Sequence, residues 1–217
     1  RSAHDGVVHL RAALAGGRGA ILLGTHAGNG VLLGAHLVAA GFPVSMVYRQ
    51  ARMAPHGFLG RGYGLYGIDA IMANEGLRAY ARMREAVKRG GVLFVTVDQG
   101  VKRAQDGVPV PFLGKITSMA AGPAQLARHN RVPVLPVLAT GCDSAWHFRI
   151  EPPLPPTSGP VASAVEALAR ASERQALLHP VLWSWHHRRW RKQPFAHATI
   201  PAWHEGDEPC STSTNRP

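Results

Sequence analysis

Short apolar runs and helix-period stretches alternate along this chain, separated by Gly and Pro. Residues 20–23 are an unbroken apolar run between Gly19 and Gly24, the pattern of a strand buried on both faces. Residues 31–40 then read as a helix stopped by Gly41 and Pro43. Further strands are predicted over 42–48 and 68–72. The clearest is 92–97, Val-Leu-Phe-Val-Thr-Val. A helix is expected over 75–89, with Asn74 as its N-cap, Leu77, Tyr80, Ala81 and Val87 on one side, and Gly90-Gly91 closing it. Residues 1–18 read as an amphipathic helix ended by Gly16-Gly17, and residues 101–115 as a loop. Ser118 is expected to cap a helix over 119–129. Residues 132–138 form another strand, which Pro133 and Pro136 would confine to an edge or irregular place, with 146–150 pairing beside it. The Pro-rich stretch 151–160 reads as a linker and 161–178 as a helix. The expected fold is α/β: a mixed, mostly parallel sheet with helices on both faces and its chemistry at the strands' carboxyl ends.

That rim carries the candidate chemistry. The first βα turn reads Gly24-Thr-His-Ala-Gly-Asn-Gly30. His26 sits in it beside a helix N-terminus, and an imidazole there suits a general base because its ordinary pKa lies near neutrality. A hydrogen-bonded turn histidine would read the same way in isolation. Asp98, at the tip of the central strand, could orient a histidine or a substrate hydroxyl, or simply cap a turn. Arg49 ends the second strand, where a guanidinium can clamp a phosphate or make a surface ion pair. There is no Walker A loop, GxSxG elbow, HExxH or RNP-type motif, and no repeat of 20–50 residues.

Composition narrows the partners. The chain has 217 residues, enough for one domain and a tail, and 24 Lys and Arg against 13 Asp and Glu give a formal charge of +11. Anionic partners follow: lipid head groups, nucleic acid or an acidic carrier protein. Residues 179–192 interleave three tryptophans with basic residues and histidines, suiting a surface that faces acidic lipid. The basic residues are not organised around any recognised nucleic-acid module, so no nucleic-acid partner is expected. Cys142 and Cys210 form neither a disulfide framework nor a metal cluster by spacing. No apolar run reaches the roughly 18 residues of a membrane span, and no signal peptide is visible. Residues 195–217 are polar and aperiodic, the composition of a disordered tail.

Three separated pieces complete the reading: Gly24-Thr-His-Ala-Gly-Asn29; Val97-Asp-Gln-Gly100 with Val110-Pro-Phe-Leu-Gly114; and Trp183-Ser-Trp-His-His-Arg-Arg-Trp190. In this order they resemble the late acyltransferases of lipid A biosynthesis, the lauroyl/myristoyl acyltransferase family of the lysophospholipid acyltransferase-like superfamily. Ser118 to Ala127, Val132 to Val137 and Tyr48-Arg49 fit the same family, so an acyltransferase domain is expected over 1–194. The resemblance implies transfer of an acyl chain from acyl carrier protein, or a similar thioester, to a hydroxyl of a lipid A-like or other glycolipid. It implies no metal and no bound cofactor. It places the protein at the cytoplasmic face of the bacterial inner membrane, held peripherally or by a segment upstream of Arg1. His26 matches the family's base, Arg49 and Asp98 match its Arg and Asp, and Asn29, Arg49, Arg61 and Gln99 are candidates to bind substrate. One departure stands out. The family's HxxxxE/D motif puts an acid at position 31, where this chain has Val31, and its frequent Trp at position 30 is Gly30. Either Asp98 supplies the carboxylate, or the chain is a degenerate homologue that binds lipid or carrier without transferring acyl groups.

Overall fold

The computed structural model describes residues 2–50, 53–101, 103–142, 145–157, 159–187 and 189–190. In chain order these are β1 (Ser2–Asp5), α1 (Val7–Leu14), β2 (Ala20–Gly24), α2 (Gly30–Ala39), β3 (Val44–Tyr48), α3 (Phe58–Gly64), β4 (Asp69–Met72), α4 (Leu77–Lys88) and β5 (Val92–Thr96). Then follow β6 (Val108–Phe112), β7 (Lys115–Met119), α5 (Gly122–Asn130), β8 (Val134–Cys142), β9 (Ala145–Ile150) and α6 (Val161–Leu178). Seven strands form one sheet in the order β1-β9-β8-β2-β5-β3-β4, and β6 and β7 form a separate hairpin. β8, β2, β5, β3 and β4 run parallel, while β9 is antiparallel to β8 and carries β1 parallel to itself. The fold is α/β with a mixed, mostly parallel sheet flanked by helices.

Strand alternation explains why helices lie on both faces. Ile21 and Leu23 of β2, with Leu93 and Val95 of β5, enter one core together with Val87 of α4, Leu126 of α5 and Leu168 of α6. Ala20, Leu22, Val92 and Phe94 point the other way, against Leu10 of α1 and Leu33 and Leu37 of α2. The central strands therefore lack polar positions on either side, which is why they read as continuous apolar runs.

Several local expectations differ from the structure. Residues 2–5 are a strand rather than helix, and α1 starts only after Gly6, whose φ of 78° suits glycine. The predicted 101–115 loop contains β6, which pairs with β7 through a turn at Leu113-Gly114, both at positive φ. Pro109 and Pro111 alternate, so their missing N–H groups fall on one side of β6 and leave the donors on its other side intact. Ser118 lies buried in β7 and caps no helix; α5 starts later, with Pro123 in its first turn. Asn74 accepts a bond from the Gln50 N–H at 2.9 Å, and α4 starts after Gly76 instead.

β8 is interior rather than an edge. Its ladder with β2 ends at Leu23–Pro136 and its ladder with β9 begins at Val137–Ile150, so Pro136 sits where one pairing ends and the other begins. The 151–160 stretch is no free linker: Glu151 and Leu154 donate to the carbonyls of Pro136 and Val134. The 195–217 tail lies outside the described residues.

Candidate functional site

β2 delivers His26 to the rim through a tightly built turn. A Cβ on Gly24 would come within 2.2 Å of the Phe94 ring. One on Gly28, at φ +65°, would meet Ala139 Cβ at 2.7 Å and the Trp146 ring at 2.8 Å, so both glycines answer close approaches that no side chain fits. Asn29 then caps α2, its Oδ1 accepting from the Leu32 N–H at 3.1 Å.

β5 is hydrogen-bonded to β2 in parallel register, Gly24 opposite Thr96, so Asp98 emerges beside His26. His26 Nδ1 lies 2.7 Å from Asp98 Oδ1, and the His26 backbone N–H donates to Asp98 Oδ2 at 3.0 Å. Asp98 is fully buried, whereas the His26 side chain is 36% exposed. The arrangement has one inward acid and one outward ring. Burial alone would raise the Asp98 carboxyl. The hydrogen bond and charge of His26, with the donors from its backbone and from Trp183, outweigh burial and hold the group below its ordinary value.

The third contributor comes from far along the chain. The segment from Leu182 to His187, with Arg189 beyond it, lies over the two loops as a strap: Gly28 donates to the Leu182 carbonyl, and Ser184 donates to the His26 carbonyl at 2.9 Å. Trp183 Nε1 donates to Asp98 Oδ2 at 2.8 Å. Arg189 Nε donates to the Asp98 carbonyl at 2.6 Å, and its guanidinium lies 3.8 Å from the Trp183 ring centroid. Burial pulls the Arg189 guanidinium down to about 10 against the attraction of Asp98. His187 Nε2 donates to the Gln99 carbonyl at 2.7 Å. Sequence reading assigned this Trp-rich segment to a lipid surface, yet Trp183 and Arg189 are both 3% exposed. Only part of the segment faces outward, notably Trp185 and Val181. Nothing in the local sequence separates Trp183 from Trp185; the need of a buried indole N–H for an acceptor explains the contact with Asp98 only once the strap is in place.

The remaining candidates are distributed around the rim. Arg49 is exposed just after β3, one strand beyond β5. Arg61, on α3, donates to the His56 carbonyl at 3.0 Å. Arg61 borders an apolar groove of about 400 Å³ lined by Val31, Phe58, Tyr63, Leu65 and Tyr66. Val31 is therefore a groove residue, and the ring nitrogen that an acid would face is already held by Asp98. A larger cavity of about 740 Å³ opens at the opposite end of β8, between α5 and α6 and far from His26. Among the described residues no three His, Cys, Asp or Glu side chains converge to hold a metal ion, and no helix is long and apolar enough to cross a membrane.

Comparison with known proteins places the chain in a family. The family described as bacterial lipid A biosynthesis acyltransferase matches residues 1–192. A phosphatidylinositol mannoside acyltransferase of Mycobacterium tuberculosis is 30% identical over 189 residues, covering 85% of this chain and 58% of that protein. One from Mycolicibacterium smegmatis is 29% identical over 187 residues, covering 84% of this chain and 60% of that protein. The chain thus spans about three-fifths of the length of these curated relatives. With 192 of its residues matched by one family and the histidine–aspartate pair on its rim, the chain belongs to the bacterial lipid A biosynthesis acyltransferase family.

Proposed function

We propose that this chain forms the O-acyltransferase domain that moves a fatty acyl group from a thioester donor to a hydroxyl of a glycolipid. The observation that carries the reading is the His26–Asp98 pair, with its acid buried and its ring open to the rim. A carboxylate facing Nδ1 holds the proton there and leaves Nε2 as the acceptor. His26 Nε2 takes the acceptor hydroxyl's proton as the oxygen attacks the thioester carbonyl. The C–O bond forms, the C–S bond breaks, and the proton passes from Nε2 to the departing thiolate. The buried Asp98 stabilises the imidazolium between these steps. The groove starting at Val31, in the first turn of the helix that follows the His26 turn, suits the acyl chain. Arg49 and Arg61 suit phosphate or sugar oxygens of the acceptor, and Gln99 lies next to the acid for the same role. Asn29 has its oxygen engaged in capping, which leaves its amide nitrogen for substrate.

The relatives' name, phosphatidylinositol mannoside acyltransferase, supports a mannosylated phospholipid over lipid A as acceptor. The donor is acyl carrier protein or another acyl thioester, and the work takes place at a membrane surface, the cytoplasmic face of the inner membrane. The positive charge of the chain and the exposed Trp185 and Val181 support that placement.

The test supplies a palmitoyl thioester of acyl carrier protein, or of coenzyme A, with phosphatidylinositol mannoside or a lipid A precursor as acceptor. Transfer by the unaltered chain that is lost in His26→Ala supports the reading, and the better acceptor names the substrate. Acceptor binding without transfer under any pairing would instead establish the inert homologue.

A further inference from the structure

Asp98 has two carboxylate oxygens and its surroundings treat them differently. Oδ1 faces the His26 ring at 2.7 Å. Oδ2 receives two donors, the His26 backbone N–H at 3.0 Å and the Trp183 indole N–H at 2.8 Å. The last torsion of an Asp side chain is broad and roughly two-fold, so packing alone leaves the plane of the carboxylate, and the angle at which it meets the ring, loosely set. A second donor on Oδ2 fixes both. The indole is itself held: the Arg189 guanidinium lies 3.8 Å from its centroid, and the rings of Phe112 and Trp185 lie 5.8 and 4.6 Å from it. Arg189 is tied in turn to the carbonyl of Asp98.

We propose that Trp183 is the positioning residue of the site: its N–H, delivered by the strap, locks the Asp98 carboxylate so that Oδ1 meets His26 Nδ1. The catalytic part of this inference rests on the reading of His26 as the base, whereas the positioning part does not. Trp183 touches no substrate and acts only through Asp98. The strap therefore joins a segment some 85 residues distant to the dyad and makes the ring's tautomer depend on the C-terminal part of the domain being docked.

The experiment replaces Trp183 by Phe, which keeps a ring in place and deletes the donor. As a second variant, Trp183 is replaced by benzothienylalanine, an indole isostere with sulfur where the N–H was, so that donor loss is tested even if the Phe variant fails to fold. Two readouts are taken on each: acyl-transfer kinetics, and nuclear magnetic resonance of the His26 ring in protein carrying ¹⁵N-labelled histidine. The expected result is a kcat lower by about 10- to 100-fold, the scale of a misplaced catalytic group, with KM for donor and acceptor changed by less than about threefold. The His26 Nδ1–H resonance should move upfield or broaden, and its Nε2 should gain protonated character, in both variants. An unchanged kcat with an unchanged ring spectrum overturns the proposal. A fall in kcat with an unchanged ring spectrum overturns it too, because Trp183 would then be acting through packing alone. If the unaltered chain shows no turnover but the ring spectrum responds to the loss of the donor, the positioning role stands and only the catalytic reading of the dyad falls.

Discussion

Replacing Asp98 by Asn tests the dyad most directly, because the hydrogen bonds around position 98 dictate how the amide must sit. Oδ2 accepts from two donors, the His26 backbone and the Trp183 indole. An amide NH₂ placed there would face two N–H groups with nothing to accept. The introduced amide therefore turns its oxygen toward those donors and its NH₂ toward His26 Nδ1. A donor facing Nδ1 forces that nitrogen to be the acceptor and moves the ring proton to Nε2. The nitrogen that should take the hydroxyl proton is then already protonated. The same wrong-tautomer substitution in a Ser-His-Asp triad costs about 10⁴ in kcat, or about 5.5 kcal/mol of barrier. We expect a loss of about 10³ to 10⁴ in kcat with KM little changed, measured as transfer of labelled acyl chain from thioester to glycolipid. Nitrogen chemical shifts of His26 should show Nδ1 protonated in the unaltered chain and Nε2 protonated in Asp98→Asn. The variant also removes the negative charge 3.8 Å from the buried Arg189 guanidinium, so its melting temperature should fall. A variant retaining activity within about tenfold of the parent, with Nδ1 still protonated, would refute the reasoning.

Other expectations follow from the same geometry. Val31→Glu should not raise turnover, because Asp98 already holds Nδ1; placing a charge in the apolar groove should instead raise KM for a long-chain donor by about 10- to 100-fold, as donor titrations would show, and a gain in kcat would contradict this. Glu173 is buried with Oε1 accepting from the Leu113 N–H at 2.6 Å, and burial raises its carboxyl above the ordinary value against that bond and the charge of Arg170. The folded chain thus holds that proton more tightly than the unfolded chain, so stability falls as pH rises through the folded value. Glu173→Gln removes this dependence, and its melting temperature relative to the parent should climb as the pH is raised above the ordinary carboxylate range. Gly28→Ala pushes a Cβ to within 2.7 Å of Ala139 at φ +65° and should destabilise by about 2 kcal/mol or more, read by denaturant unfolding.

Much of this architecture was legible in the chain. Local patterns determined the interior strands, because residues 20–23 and 92–97 are apolar on both faces and only a doubly covered strand accommodates that. They also determined the helices between them and the placement of His26, Arg49 and Asp98 at strand ends. The glycines around His26 marked a tight turn before any neighbour was known.

Tertiary structure decided the rest. Pro136 reads as an edge signal, yet β8 is interior because its two ladders occupy successive parts of the strand. Residues 101–115 read as a loop, but the hairpin that starts within them tolerates Pro109 and Pro111 because their missing donors share one side. Asn74 and Ser118 look like helix caps in a short window, and longer-range partners claimed them.

The same holds at the site. The resemblance to the family's HxxxxE/D motif offers position 31 for the acid, whereas parallel pairing of β2 and β5 brings Asp98 to the ring across 72 residues. No periodicity encodes that Trp183 would turn inward to the carboxylate while Trp185 stays at the surface. Patterns of burial repeat every two or three to four residues and can be read from a window. A hydrogen bond between distant side chains depends on strand order and loop closure, which only the assembled sheet and its strap supply.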